Sequence, residues 1–135
     1  MSLTVVHALS GHALQRALAL EQLGDAGNFD VAGSGWRSRI LTELLEDNYD
    51  ANRLLAFQAL RKLNGFEFFD FDYIGTRDER QASVREARQI WHQVATQTDH
   101  SRLRHILNVT TDSEMEDLIQ QLIRERNKVT IDIQE

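Results

Sequence analysis

Five histidines, His7, His12, His92, His100 and His105, are the first candidates for metal or acid–base chemistry. A helical metal site needs ligands four apart on one face, as in HExxH. No two of these histidines are four apart, and no HExxH occurs. A metal needs several converging ligands, so surface histidines are the expectation. Asp70 and Asp72 are the next candidates, as paired carboxylates. A calcium loop starting at Asp70 would carry Ile74 and Gln81 at two of its ligand positions, and neither supplies a carboxylate. Acid–base work needs a substrate pocket, and no sequence feature places one beside this pair. Gly33-Ser34-Gly35 lacks the GxxxxGK[ST] pattern of a phosphate loop and has no strand before it. Ser10, Ser34, Ser38 and Ser83 lack the context of a nucleophile elbow. No catalytic, cofactor-binding or metal-binding residue is assigned, and no cofactor is expected.

The totals narrow the classes further. A chain of 135 residues fits one domain, residues 1–135. With 41% apolar and 27% charged residues it can build a modest core. A net charge of −6 argues against nucleic acid or an anionic membrane surface as partner, since both attract basic faces. Without cysteine, this chain forms no disulfide, zinc–thiolate site or c-type haem attachment. No apolar run reaches the ~18 residues of a membrane span. Met1 to Ser10 has no basic segment leading into an apolar one, so no signal peptide is expected. Proline is absent, so helices must be ended by glycine, asparagine and capping side chains.

The elements follow from periodicity. Residues 11–23 form an expected helix, capped by Ser10 and stopped by Gly24. Asp25 to Gly35 is a loop by composition. A second helix, capped by Ser34, carries Trp36, Ile40, Leu41, Leu44 and Leu45 on one face. A polar turn, Asp47 to Asp50, leads to a third helix from about Ala51 to Leu63. The segment 66–75 has another texture: aromatic and acidic residues alternate from Phe69 to Tyr73, which predicts an extended strand. Trp36, Trp91 and these aromatics are expected in the core rather than around a ligand groove. Further helices fill 76–127. Capping pairs Thr76/Glu79 and Thr111/Glu114 start two of them. Arg77, Arg80, Arg85 and Arg88, interleaved with acids, predict a solvated face with local ion pairs. In the tail 128–135, Val129, Ile131 and Ile133 alternate with Thr130, Asp132 and Gln134. A lone strand is unstable, so the two extended segments are expected to pair as a small two-stranded β ribbon.

An internal repeat organises the first half. Arg16, Leu18, Ala19 and Leu23 recur 37 residues later as Arg53, Leu55, Ala56 and Leu60. A helical period of about 40 indicates an α-solenoid. The stretch from Leu41 to Leu63, LLEDNYDANRLLAFQALRKL with the preceding LTE, resembles a HEAT repeat. There an acidic turn residue precedes an arginine of the second helix by six positions, as Asp47 precedes Arg53. Ala56 and Leu60 fit the pattern; Asn52 departs from it, standing where valine is usual. The resemblance implies a mainly α fold of HEAT-like antiparallel helical hairpins over 10–64. It also implies structural roles for Arg53, anchored through Asp47 or Asp50, and for the equivalent Arg16. The order of motifs over most of the chain further resembles the C-terminal HEAT region of large bacterial HEAT/tetratricopeptide-repeat proteins. Some of these are multihaem cytochromes, often secreted or periplasmic. Their haem motifs are absent here, so electron transfer does not carry over.

Solenoids present extended faces to other proteins. The expected function is a non-enzymatic interaction or scaffold module, part of a longer protein, whose partner is a protein or a neighbouring repeat. The alternatives are a structural C-terminal cap of a repeat array and an accessory domain of a redox or hydrolytic enzyme.

Overall fold

A computed structural model describes the backbone of residues 3–24 and 34–134, and the side chains of residues 3–24 and 35–127. The protein is mainly helical. The helices are α1 (Leu3–Ser10), α2 (Ala13–Leu23), α3 (Arg37–Leu44), α4 (Asp50–Leu60), α5 (Arg77–Val94), α6 (Gln97–Leu107) and α7 (Asp112–Gln134). A 3-10 turn, Ser34–Trp36, leads into α3. No helix among the described residues is long and apolar enough to cross a membrane.

Polar side chains cap several helix ends, while α3 and α4 start without a side-chain cap. Gly11 and His12 separate α1 from α2. His12 caps α2: its Nδ1 accepts from Gln15 N at 3.3 Å, and its own N–H donates to Gln15 Oε1 at 3.0 Å. Ser10 closes α1 instead, its Oγ donating to Val6 O at 2.8 Å. Thr76 caps α5 by accepting from Glu79 N. Thr96 and Asp99 form a reciprocal capping box that starts α6. Thr111 Oγ1 accepts from Glu114 N in the first turn of α7. Such caps satisfy amides that have no partner within the helix.

Helix α1 packs on α2, and α3 packs on α4. The two pairs lie side by side, α1 against α3 and α2 against α4. Helix α5 covers α3, while α7 lies along α1 and against α6. Val5, Leu9, Leu20, Ile40, Leu44 and Leu60 fill the space between the pairs, and Trp91, Leu103, Met115 and Ile119 extend the same core. Helix α3 is central: every residue from Ser38 to Leu44 is buried.

The expected β ribbon does not form; no strand occurs among the described residues. Residues 128–134, read from sequence as a strand, continue α7. No glycine or proline interrupts the chain from Asp112 onward. Extending a nucleated helix adds one hydrogen bond per residue fixed, and three alternating apolar residues do not override that. The expected burial of Val129, Ile131 and Ile133 lies outside the described side chains. The segment 66–75 is a run of turns. Phe69 N donates to Phe66 O, and Gly75 N to Asp72 O. Phe69 and Phe71 do point inward, but against Phe57 of α4, with ring centroids 6.1 and 5.9 Å away. Asp70 and Asp72 are exposed and accept local amides, Asp70 from Phe71 and Asp72 from Ile74. The alternation therefore arises from turn-forming aspartates between buried rings. Phe68, at 96% exposure, leaves the cluster altogether.

The connection from α4 into this segment depends on Gly65. Its φ is +91°, a left-handed conformation that strains a residue with a Cβ. A Cβ there would also lie 2.6 Å from Val94 Cγ1. Gly65→Ala is predicted to destabilise the protein by about 2 kcal/mol, combining backbone strain with overpacking. Urea unfolding of both proteins measures this; an unchanged midpoint would contradict it.

Candidate functional site

Three features carry the protein's polar and exposed apolar chemistry. The first centres on Asp47, in the turn between α3 and α4, with a relative exposure of 0%. Arg16 of α2 meets its carboxylate with two bonds, Nε to Oδ2 at 2.5 Å and Nη2 to Oδ1 at 3.2 Å. A third bond, Nη1 to Gly11 O at 2.7 Å, ties Arg16 to the turn between α1 and α2. Asp47 Oδ1 also accepts from Tyr49 N at 3.0 Å and so shapes the turn into α4. Arg53 is buried and donates to two carbonyls, Nη1 to Asp47 O and Nε to Tyr73 O, each at 2.7 Å. Burial and the nearby Arg80 hold the Arg53 guanidinium below its usual pKa, against the pull of Asp50 and Asp47. Asp50 is exposed in the first turn of α4, where a negative charge suits the helix end. Asn52 is buried, with Nδ2 3.5 Å from Ala13 O. The four residues singled out from the sequence thus occupy one neighbourhood. Arg53 meets the turn through its backbone because Arg16 and Tyr49 N already engage the carboxylate.

The second feature is a charge cluster that crosses the buried face of α3. Arg39 donates to Glu43 Oε1 at 2.7 Å and grips Glu116 of α7 through Nε at 3.0 Å and Nη2 at 2.5 Å. Arg88 of α5 reaches the same Glu43 carboxylate with bonds of 2.9, 3.0 and 3.1 Å. Burial disfavours the Arg39 charge, but the hydrogen bond to Glu116 and the charges of Glu43 and Glu116 outweigh it and raise its pKa. For Glu116, burial pushes upward and is overcome by the Arg39 bond and charge, leaving the carboxyl below its ordinary range. Sequence reasoning placed Arg88 on a solvated face with local pairs; it instead bridges two helices. The i, i+4 pair Arg39 and Glu43 was a usable signal, since it sits on a helix whose apolar positions mark it as central.

The third feature is apolar. Leu3 on α1 and Leu14 and Leu18 on α2 are each more than half exposed. Leu3 and Leu18, with Thr4, His7, Gln15 and Gln22, line a shallow pocket of about 220 Å³ between the two helices. Leu14 stands one turn from Leu18 on the same face. The sequence reading missed this surface because it did not recognise α1. The apolar spacing of Leu3, Val5, Val6 and Leu9 was the available signal.

Among the described residues no group of three or more histidines, aspartates and glutamates converges as a metal site. His7 lines the pocket, His12 caps α2, His92 and His100 flank Trp91, and His105 is exposed in α6. No family model, curated protein or solved structure matches this chain.

The charge cluster has a consequence in acid. Because the folded protein holds Glu116 below its unfolded value, the contribution is present above about pH 4.5, the ordinary glutamate value, and lost as pH falls through the folded pKa. Glu116→Gln is predicted to flatten the loss of stability between about pH 5 and 3, measured by unfolding at stepped pH. An identical acid limb in both proteins would contradict the role given to the Arg39–Glu116 pair.

Proposed function

We propose that this chain is a non-enzymatic, HEAT-like interaction module that receives an amphipathic helix of a protein partner, or of a neighbouring repeat, on the α1–α2 face. The observation that carries the reading is the exposure of Leu3 and Leu18 at the pocket between the two helices, with Leu14 exposed one turn from Leu18. Exposed large apolar side chains that share a face cost solvation energy until a partner covers them. A groove between two helices, lined by leucines with Gln15, Gln22 and Thr4 at its edges, suits a helix that inserts apolar residues at i and i+4. The repeat interpretation draws further support from the packing of α1 on α3 and α2 on α4, and from Arg16 and Arg53 meeting one turn. Side-by-side packing of successive helix pairs is what stacked repeats require.

The test uses the full chain in its native cell. A photo-crosslinking residue at Leu14 or Leu18 should capture the same protein, and one at the exposed Glu86 of α5 should not. Leu14→Glu with Leu18→Glu should weaken binding of that identified protein at least tenfold, about 1.4 kcal/mol, without lowering the melting temperature. Equal capture at all three positions, or undiminished affinity of the double variant, would overturn the reading.

A further inference from the structure

The junction between α6 and α7 holds an unusual grouping. His100 of α6 lies edge to face with the buried Trp91 of α5, ring centroids 4.3 Å apart and planes at 82°. Its Nδ1 is buried and makes no hydrogen bond. The nearest opposite charge is Asp112, the first residue of α7, whose Oδ2 lies 3.5 Å from Nδ1, too far for a good bond. Asp112 is already engaged by Arg104, Nη1 to Oδ1 at 2.6 Å. That bond lowers its pKa; burial pulls the other way, and the charges of His100 and Arg104 add to the lowering. The carboxylate is therefore fixed as an anion facing an imidazole nitrogen.

Neutral imidazole does not complete this arrangement. In the tautomer with its proton on Nε2, Nδ1 turns a lone pair toward a carboxylate oxygen. In the other tautomer Nδ1–H donates over a long distance and without charge. Protonation supplies both the proton on Nδ1 and the positive charge. We propose that His100 is a pH-sensitive latch, whose imidazolium closes onto Asp112 and fastens the first turn of α7 to α6. The element that responds is α7, which also packs along α1. The α6–α7 connection is short, residues 108–111, with Asn108 held left-handed at φ 59°. A small movement at His100 is therefore delivered directly to the start of α7.

Other titratable groups face the same place. From α5, His92 touches Trp91 with centroids 5.8 Å apart. From α6, Asp99 is buried in the capping box and Arg104 binds Asp112. The 3-10 turn packed against α6 contributes no titratable side chain. His92 is the other imidazole in contact with Trp91, so it is the necessary control.

The experiment follows tryptophan emission and amide exchange of the full chain between pH 8 and pH 5.5. Wild type should show a step in emission across the interval in which imidazoles titrate, about pH 5–8. After correction for intrinsic exchange rates, the amides of residues 115–118, the first to donate to carbonyls at the start of α7, should gain severalfold protection at the acid end. His100→Gln should lose both changes, and His92→Gln should keep both. Asp112→Asn should retain the emission step, since the His100 imidazole still lies against Trp91, and lose the gain in protection. An emission step that survives His100→Gln, or α7 protection that does not change with pH in wild type, would overturn the proposal.

Discussion

A carboxylate with no access to water must find its compensation inside the protein. Asp47 is in that position, and the rest of the first half is arranged around it. A buried ion left without its partner costs several kcal/mol, so Asp47 and Arg16 constrain each other's placement. Arg16 belongs to one helix pair and Asp47 to the next. Their two bonds, with the bond from Arg16 to Gly11 O, fix the separation of the pairs and their orientation. Arg53 then takes the carbonyl that Asp47 leaves open and carries the constraint to Tyr73, holding the aromatic turn segment against α4. Leucine packing alone fills volume; these directional bonds select one arrangement among those that would bury similar area.

The same logic recurs one layer away. Helix α3 is buried all round, and the charges it carries are met from both sides, Arg39 by Glu116 and Glu43 by Arg88. In this way α5 and α7, distant in sequence, are placed on the helix pairs by polar contacts as well as apolar ones. One face of α1 and α2 keeps its leucines exposed. The buried charges give this face a rigid base, and the proposed helix-binding role needs a groove that is formed before a partner arrives.

The sequence made part of this legible. Asp47 and Arg53 stood out by their spacing, and Arg16 by its recurrence 37 residues before Arg53. Which arginine takes the carboxylate is a matter of three-dimensional reach, and no spacing encodes it. The ribbon expectation failed for a related reason. Alternation at Phe69 to Tyr73 is equally well produced by aspartates accepting backbone amides between buried rings. At the tail, three alternating residues were weighed without the helix already running into them. Arg39 and Glu43 mark themselves as an i, i+4 pair, but their partners Glu116 and Arg88, 77 and 45 residues away, are pointed to by no local spacing.

The central claim is that Arg16 and Asp47 are one unit joining two helix pairs. A double-mutant cycle with Arg16→Leu and Asp47→Asn, read by urea unfolding, tests it most directly. Each single variant leaves one buried charge without its counter-charge, and the double variant leaves neither charge. The predicted coupling is about 2 kcal/mol or more, with the double variant markedly less destabilised than the two single effects combined. Additivity within about 0.5 kcal/mol would mean the residues act independently, and the account of the fold built on their pairing would be contradicted.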